Sequence, residues 1–387
     1  MANIDFSKAE LERYSRHLII PEFNIEGQRK LKNAKVLVVG SGGLGSPLLL
    51  YLAAAGVGTI GIVDFDVVDD SNLQRQVLFG TACVGHPKVN AAKHQLLSLN
   101  PHIQINTYNT QFTSENALDI AKDYDLIADG TDNFPTRYLV NDTAVLLGIP
   151  NVYASIYRFD GQLSVFNYKY EDGSFGPNYR DLFPAPPPPG LVPSCAEGGV
   201  IGVLPGILGS LQANEVIKVI TGVGEPLVGR LFLFDALSFS TRTLKLKKNP
   251  TRPKITKLID YHQFCGLTPA ETKISEEIQL NPIQEIDVQE LERWKNLKLD
   301  FQLIDVRETY EREIVTIGGE LIPKATVEDQ LSTIEKDKKV VIYCRSGKRS
   351  ADVIRLLQDK YDYANLYNLK GGVLAYAKEI DTNLATY

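Results

Sequence analysis

The segment that decides the fold is Lys35–Asp64, KVLVVGSGGLGSPLLLYLAAAGVGTIGIVD. It begins with an apolar run, residues 36–39, which predicts a buried parallel strand. A glycine-rich turn with the pattern GxGxxG follows, and the apolar residues after it predict a helix that starts near Leu44. A second apolar run ends at Asp64. The order strand, glycine turn, helix and strand predicts one βαβ unit.

The glycine turn has the composition of a nucleotide site. Its glycines are Gly40, Gly42, Gly43 and Gly45. Glycines let main-chain N–H groups approach a phosphate closely, and the first turn of the following helix offers unpaired N–H groups to the same anion. Asp64 stands where a carboxylate would accept hydrogen bonds from ribose hydroxyls. The alternative to a nucleotide site is that the glycines are needed only for tight packing between the helix and the strand.

Length and composition limit the class of protein. A chain of 387 residues is longer than one ordinary core serves, so two domains are expected. The net charge of −6 gives no basic field for nucleic acid, and no block of like charge resembles a membrane patch. The N-terminal residues have no apolar signal core. We therefore expect a cytoplasmic protein that binds neither nucleic acid nor membrane.

Strands and helices alternate after the βαβ unit. Strands are expected at 104–108 and 125–128, with a helix that starts near Pro87 and runs to Leu99 and another near 115–123. This alternation predicts an α/β fold with a doubly wound, mostly parallel, Rossmann-like sheet. Ligands of such sheets bind at the carboxyl ends of the strands. The acids expected there are Asp64, Asp129 and Asp132.

The flanking segments complete the first domain. Residues 8–33 are expected to form a helix with Leu11, Tyr14, Leu18 and Ile19 on one face. An added β region is expected from two hairpin strands, 149–156 and 161–168, and from two later strands, 231–235 and 240–245.

A proline run precedes the first candidate nucleophile. Residues 183–193, FPAPPPPGLVP, cannot pair in a sheet or continue a helix, so they predict an extended, mobile crossover. Cys195 follows at once and would carry its thiol on that crossover. The polar segment 249–277 is expected to be a linker, which separates a domain at 1–248 from a second at 278–387.

The second domain is expected to be a small α/β unit with a reactive cysteine. The strand KVVIY, residues 339–343, leads into CRSGKRS and a helix, which places Cys344 at a strand end and a helix N-terminus. Nearby helix N–H groups and cations lower the pKa of a thiol, so Cys344 is expected to be the reactive cysteine. The residues expected around it are Arg345, Ser346, Gly347, Lys348 and Arg349.

The motifs of the first domain resemble the MoeB/ThiF adenylyltransferases, relatives of ubiquitin-activating enzymes. They are RYSRHL, GSGGLG, DFDVVDDSNLQRQ, GHPKV and GTDNFPTR, in that order. The resemblance implies ATP at the glycine turn and a homodimer, with a ubiquitin-like sulfur carrier protein ending in Gly-Gly as substrate. The implied contacts are Asp64 to the ribose, Asn72, Arg75 and Lys88 to the triphosphate, Asp132 to Mg²⁺, and Arg16 to the ATP of the other subunit.

The second domain resembles a rhodanese, through IDVRE at 304–308 and CRSGKRS at 344–350. The fused order is similar to dual adenylyltransferase/sulfurtransferases, which implies a persulfide on Cys344 and a sulfur donor such as a cysteine desulfurase. Adenylation makes a carboxylate electrophilic, and the persulfide then gives a thiocarboxylate. The likeness at VPSCAEGG supports a covalent role for Cys195, although a loop cysteine can also be incidental. Molybdopterin, thiazole and tRNA all stay open as the destination of the sulfur.

The sequence departs from many relatives at a structural zinc site. Two CxxC pairs bind zinc in those relatives, whereas this chain has Asn178 and Asp181 at the first pair and Arg252 and Ile255 at the second. These side chains do not make a tetrahedral zinc site, so we predict no zinc. We predict instead that an ion pair between Asp181 and Arg252 joins the two segments.

Three rival functions stay under consideration. GxGxxG with Asp64 also fits an NAD-dependent oxidoreductase, but Arg75, Lys88 and Asp132 suit a triphosphate and a metal better. A phosphatase loop usually has five residues between cysteine and arginine, whereas Cys344 and Arg349 have four between them. A scaffold that binds a ubiquitin-like partner without activating it is the non-enzymatic alternative.

Some residues have simpler interpretations. Cys83 is expected to pack in a loop, and Trp294 to anchor the small domain. Cys265 is interpreted as a linker residue, with a sulfur-relay role left open. The five histidines lack metal-ligand spacing.

Overall fold

The computed structural model describes residues 6–188, 198–267 and 282–387. The chain divides into two compact units, Met1–Glu271 and Thr272–Tyr387. Cys195 and part of the proline run before it lie outside the described residues.

The first unit alternates strands and helices in the expected order. Its strands are β1 (Lys35–Val39), β2 (Thr59–Val63), β3 (Gln104–Tyr108), β4 (Leu126–Asp129), β5 (Asn151–Tyr157), β6 (Asp160–Phe166), β7 (Arg230–Asp235) and β8 (Ser240–Lys245). Its helices are α1 (Lys8–Arg13), α2 (Ser15–Leu18), α3 (Asn24–Asn33), α4 (Gly45–Ala55), α5 (Lys88–Leu99), α6 (Ala117–Ala121), α7 (Phe134–Leu147), α8 (Tyr179–Leu182), α9 (Val203–Thr221) and α10 (Tyr261–Phe264).

The eight strands form one sheet in the order β3-β2-β1-β4-β5-β6-β7-β8. The pairs from β3 to β5 are parallel and those from β5 to β8 are antiparallel, which confirms the Rossmann-like sheet and the added β region. At the end of β1, Val39 pairs with Val63 on one side and with Asp129 on the other. The loops after β1, β2 and β4 therefore leave the sheet side by side.

Apolar side chains fill both faces of this sheet. On one face, strand residues such as Val36 and Ile60 pack with Leu48 and Leu52 of α4. On the other face, Leu37 and Ile127 pack with side chains of α6 and α7. Each central strand is buried on both faces, which is why its sequence is continuously apolar rather than alternating.

Helix α9 is the one described helix that is long and apolar enough to cross a membrane by length and composition. Its buried residues include Leu204, Leu208 and Val216. Leu204 and Leu208 pack with Leu163 of β6, and Val216 belongs to the main core of the sheet. Helix α9 is thus a core helix of the first unit.

The N-terminal segment differs from the single helix expected over 8–33. It forms α1, α2 and α3, and Pro21 lies in the turn between the last two, where its missing N–H prevents a continuous helix. Of the expected apolar face, Tyr14 is buried, whereas Leu11 is 40% and Ile19 is 68% exposed.

Part of the expected linker also differs from the expectation. Helix α10 lies within residues 249–277, and Tyr261 and Cys265 are buried in the core of the first unit. The Tyr261 hydroxyl donates to Asp142 Oδ2 at 2.8 Å, and Arg180 holds the same carboxylate from Nε and Nη2. The polar composition of the segment predicted a linker, but a few of its aromatic residues pack against the core of the first unit.

The second unit is a five-stranded parallel sheet in the order β11-β10-β12-β13-β9. Its strands are β9 (Gln284–Ile286), β10 (Phe301–Asp305), β11 (Glu320–Leu321), β12 (Lys339–Tyr343) and β13 (Leu366–Leu369), and its helices are α11 (Val288–Asn296), α12 (Thr309–Ile314), α13 (Lys348–Tyr361) and α14 (Gly372–Glu379). Trp294 is 5% exposed and packs edge-on against Phe301 and Tyr367, which confirms its role as an anchor.

Candidate functional site

A pocket lies where the loops after β1, β2 and β4 leave the large sheet. Its lining includes the glycine turn, the residues after β2 and the residues after β4. The expected site residues that line it are Gly40, Gly42, Gly43, Asp64, Arg75, Lys88 and Asp132. Residues that are far apart in sequence thus meet at the carboxyl edge of the strands, as the fold class predicts.

The glycines of the turn fall into two groups. A Cβ on Gly45 would lie 2.1 Å from the carbonyl oxygen of Gly40, so this glycine is required by the close approach of helix and strand. Gly40 has φ +90°, a conformation that side chains disfavour. A Cβ on Gly42 would meet nothing closer than Gln76 Nε2 at 3.7 Å. The packing explanation therefore covers Gly45, whereas Gly42 faces the pocket without a packing reason to be glycine.

Asp64 holds the glycine turn in place. Its Oδ2 accepts from both the main-chain N–H and the hydroxyl of Ser41, each at 2.8 Å, and its Oδ1 accepts from Asp66 N at 3.0 Å. The Asp64 carboxylate is only 9% exposed, yet it lines the pocket. Ser41 had no role in the sequence-based prediction because only the sheet brings it onto the carboxylate.

Two of the cations that line the pocket, Lys88 and Arg75, come from different elements. Lys88 begins helix α5, and its nearly buried ammonium lies 2.9 Å from Asp66 Oδ2. Arg75 comes from the loop after β2, where its Nη1 donates to Ser71 O at 3.1 Å. Burial strengthens the attraction between such cations and a polyphosphate.

The two acids after β4 have different environments. Asp132 is exposed and lines the pocket. Asp129 is buried, where its Oδ1 accepts from the N–H and hydroxyl of Thr131, and burial raises its pKa. The expected position of Asp129 at the end of β4 is confirmed, but its side chain is not among those that line the pocket. It lies at the strand end but points into the protein.

The pocket fits ATP and magnesium in its chemistry. Mg²⁺ is usually bound by one or two carboxylates together with substrate phosphates, and Asp132 offers such a carboxylate beside Arg75 and Lys88. Within 6–188, 198–267 and 282–387, no group of three or more His, Cys, Asp or Glu side chains could hold a metal by itself. A magnesium ion here would therefore depend on the phosphates for most of its ligands.

Gln76 and Arg137 are two polar lining residues that the sequence analysis did not name. Gln76 is 4% exposed, and its Oε1 has no hydrogen-bond partner in the part of the chain that the structure describes. Arg137 is 7% exposed and donates from Nη2 to Thr131 O at 3.2 Å. Gln76 belongs to the motif DFDVVDDSNLQRQ and Arg137 to the motif GTDNFPTR. Membership of these motifs was the only sequence signal that could have identified them as site residues.

Two expected contacts do not line the pocket. Asn72 lies in the short turn Asp70–Asn72 and accepts from Asp69 N at 3.2 Å. Arg16 is exposed on α2. The structure brings neither of them to this pocket in one chain.

Cys344 directly follows β12, and a tight loop leads from it to α13. Cys344 is 1% exposed, and Gly347 N donates to its Sγ at 3.2 Å. Gly347 caps α13 with φ +89°, which turns its N–H toward the sulfur. The expected position of the thiol at a helix N-terminus is confirmed.

A glycine pair after β13 supports the same loop. Gly372, the first residue of α14, has no room for a side chain, because a Cβ would lie 2.3 Å from Cys344 O. The next residue, Val373, donates its N–H to that oxygen at 3.0 Å. Ser350, which is fully buried, lies 3.5 Å from Cys344 Sγ through its hydroxyl. The sequence analysis did not identify these residues, since β13 is distant in sequence.

Residues outside the Cys344 loop hold its two arginines, Arg345 and Arg349. Arg349 donates from both terminal nitrogens to Glu311, each at 2.6 Å. The pKa of Glu311 is lowered: burial opposes this shift, but the hydrogen bonds from Arg349 and from Glu308 N outweigh it. Arg345 donates from Nε to the main-chain oxygen of Tyr387. Ser346 and Lys348 are exposed at the outer side of the loop.

The other described cysteines are not placed for reaction. Cys265 is 6% exposed in the core of the first unit, and burial raises its pKa to about 11. Such a thiol stays protonated at neutral pH, so the structure gives no support to a sulfur relay through Cys265. Cys83 lies in the short turn Thr81–Cys83 and packs against the core, as expected.

The predicted ion pair at the former zinc positions is confirmed. Arg252 Nε lies 3.0 Å from Asp181 Oδ1, and Asn249 N donates to the same oxygen at 3.0 Å. Asn178 caps α8 and donates its N–H to Asp181 Oδ2 at 2.8 Å. One carboxylate therefore joins the two segments.

Comparison with known proteins agrees with both halves of this description. The model of the ThiF family matches residues 14–254, and that of the rhodanese-like domain matches residues 287–379. A probable adenylyltransferase/sulfurtransferase MoeZ of Mycobacterium tuberculosis (strain CDC 1551 / Oshkosh) is 50% identical over 384 residues, which are 98% of this chain and 96% of the relative. A sulfur carrier protein adenylyltransferase of Thermus thermophilus is 54% identical over 268 residues, 68% of this chain and 99% of the relative.

A solved structure shares the fold of the first unit. The crystal structure of E. coli MccB with ATP matches with a TM-score of 0.52 and 25% identity, over 62% of this chain and 73% of that one. The chain therefore belongs to the ThiF family, and it combines an adenylyltransferase domain of that family with a C-terminal rhodanese-like domain.

Proposed function

We propose that this enzyme adenylates the C-terminal glycine of a ubiquitin-like sulfur carrier protein and then converts it to a thiocarboxylate with sulfur carried on Cys344. The observation that carries the proposal is the presence, in one chain, of a pocket with the cations Arg75 and Lys88 and of a thiol that accepts the Gly347 N–H. The relative from Thermus thermophilus is named for a sulfur carrier protein, which supports the class of substrate.

In the first step, a carboxylate oxygen of the carrier attacks the α-phosphorus of ATP and pyrophosphate leaves. Arg75 and Lys88 would neutralise the charge that develops on the leaving phosphates, and the glycine turn would hold the phosphates through its N–H groups. Asp64 would accept from the ribose while it keeps Ser41 in place. Asp132 would hold a magnesium ion, which supplies further charge neutralisation when bound.

In the second step, the terminal sulfur of a Cys344 persulfide attacks the acyl carbon and AMP leaves. A thiol then attacks Cys344 Sγ of the acyl disulfide, which releases the thiocarboxylate and leaves a disulfide for an external dithiol to reduce. We propose that Cys195 takes a covalent part, either as this thiol or as an earlier acceptor of the acyl group. The sulfur donor that reloads Cys344 would be a persulfide carrier such as a cysteine desulfurase.

We further propose that the enzyme is a homodimer. Arg16 is exposed and does not line the pocket of its own chain, which suits an arginine that reaches the nucleotide of a partner subunit. Mixing an Arg16→Ala chain with a chain that carries Lys88→Ala should then restore part of the adenylation, because one pocket in each mixed dimer is complete.

The test of the function is ATP–pyrophosphate exchange with carrier proteins that end in Gly-Gly, measured for the wild type and for Cys344→Ala. Exchange should survive in Cys344→Ala, whereas thiocarboxylate formation, followed by mass spectrometry of the carrier, should fail. Cys265→Ala is the matched control and should keep both activities, since this thiol packs in the apolar core of the first unit, where burial raises its pKa to about 11. Loss of exchange in a folded Cys344→Ala protein would contradict the division of labour between the two domains.

A further inference from the structure

Tyr387 lies on the Cys344 loop of the second unit, although it is outside residues 287–379, which the rhodanese-like model matches. Its phenol oxygen accepts from Arg307 Nη1 at 2.7 Å and donates to Glu311 Oε1 at 3.1 Å. Its ring lies under the guanidinium of Arg345, with 5.5 Å between the guanidinium carbon and the ring centroid. One side chain thus contacts Arg345 itself and Glu311, the carboxylate that holds Arg349.

The partners of the phenol are fixed by burial. Arg307 and Asp305 form an ion pair at 2.6 Å with both side chains fully buried. Arg307 also donates to the carbonyl oxygens of Glu311 and Val315, at 3.3 and 2.9 Å. These hydrogen bonds hold the Arg307 guanidinium in one position, so the guanidinium in turn fixes the position of the phenol oxygen.

The phenol in turn fixes Glu311. Glu311 is the bidentate acceptor of Arg349, which lies in the first turn of α13, directly after Cys344 and its loop. Burial raises the pKa of Tyr387 to about 12, so the hydroxyl keeps its proton at neutral pH and can donate to Glu311. The chain of contacts therefore runs from Arg307 through Tyr387 and Glu311 to Arg349.

We propose that Tyr387 is a positioning residue of the sulfur-transfer site, which holds Arg345 and Arg349 where their charges face an anionic group at Cys344. The hydroxyl acts on Arg349 through Glu311, and the ring acts on Arg345 by a cation–π contact. This inference rests on the proposed role of Cys344 as the reactive thiol.

The test compares two alkylating agents of similar size on the full chain. Iodoacetate is anionic and iodoacetamide is neutral, so the ratio of their rate constants at Cys344 measures the positive charge that faces the sulfur. Mass spectrometry identifies the alkylated cysteine. A purely structural role changes the amount of folded protein, which affects both reagents equally and leaves the ratio unchanged.

Tyr387→Phe keeps the ring and removes the hydroxyl, and Tyr387→Ala removes both. A displacement of a cation by a few ångströms changes its interaction enough to lower the ratio by about threefold in Tyr387→Phe and about tenfold in Tyr387→Ala. Tyr310→Phe is the matched control, because Tyr310 lies on α12 beside Glu311 and is 64% exposed. Its ratio should equal that of the wild type.

The outcomes distinguish the positioning role of Tyr387 from the reactive role of Cys344 on which it rests. A wild-type protein in which Cys344 does not react with either reagent would overturn the proposed role of Cys344. A reactive Cys344 with equal ratios in the wild type and both Tyr387 variants would overturn the positioning role alone. Thermal unfolding of each variant, followed by the fluorescence of Trp294, identifies a variant that fails to fold. If Tyr387→Ala does not fold, the ratio measured for Tyr387→Phe tests the positioning role.

Discussion

Asp181 and Arg252 form an ion pair across 71 residues of sequence, with 3.0 Å between Asp181 Oδ1 and Arg252 Nε. The Asp181 side chain is 1% exposed and that of Arg252 is 13% exposed. The sequence predicted the pair but not its burial. Burial changes the energetics, because an unpaired charge at a mostly buried position regains little hydration in place of its partner.

Asp181→Asn should therefore lower the free energy of unfolding of the first unit by about 2 kcal/mol, since it leaves Arg252 facing a neutral amide. Near-ultraviolet circular dichroism of the tyrosines during urea unfolding would measure it. Combining Asp181→Asn with Arg252→Met should restore part of the loss. Asp119→Asn, in the exposed pair with Lys122, is the control and should not change the transition. An unchanged midpoint in Asp181→Asn would show that the pair does not stabilise the unit.

The glycine turn allows packing and binding to be separated. Gly45→Ala should prevent stable folding of the first unit, because its Cβ would lie 2.1 Å from Gly40 O. Gly42→Ala should fold normally, because its Cβ meets only Gln76 Nε2 at 3.7 Å, but the methyl group would occupy the pocket. Its ATP affinity, measured by calorimetry, should fall about tenfold or more. Wild-type affinity in Gly42→Ala would argue against phosphate binding at this turn.

Lys88→Ala should reduce ATP–pyrophosphate exchange by about a hundredfold, which is typical for the loss of one charged donor to a developing anion. Folding should be little affected, because the partner Asp66 is half exposed and regains water. Lys93→Ala provides the control, since Lys93 is exposed on the same helix α5. Exchange that survives in Lys88→Ala would place the triphosphate elsewhere.

The stability of the second unit should fall in acid through Glu311. The folded-state pKa of Glu311 is below its ordinary value of 4.5, so its ionised form contributes stability above pH 4.5, and this contribution is lost as pH falls through the lower folded-state pKa. The fluorescence of Trp294, the single tryptophan, reports urea unfolding of this unit.

Glu311→Gln should be less stable than the wild type at pH 7 and should lose less stability between pH 5 and pH 3. Glu313→Gln, at an exposed position of the same helix α12, should follow the wild type. Parallel pH curves for Glu311→Gln and the wild type would mean that Glu311 does not carry the acid sensitivity.

Much of this protein follows from sequence because its signals are local. The spacing of apolar residues and glycines in Lys35–Asp64 specifies a strand, a turn and a helix, and the structure has β1, α4 and β2 there. The strand KVVIY before Cys344 likewise has the bounds Lys339–Tyr343. Parallel strands share their carboxyl edge, so the ends of β2 and β4 bring Asp64 and Asp132 to one pocket, and Lys88 joins them from the start of α5.

Tertiary structure alone decided which way polar side chains face. Asp129 and Asp132 are close in sequence, yet burial turns one inward and leaves the other at the pocket. Ser41, Glu311 and Tyr387 take part in the sites only through contacts between segments that are distant in sequence, and no local sequence pattern predicts such contacts. The glycine turn and the Cys344 loop were thus determined by sequence, whereas the side chains that hold both in position were determined by packing.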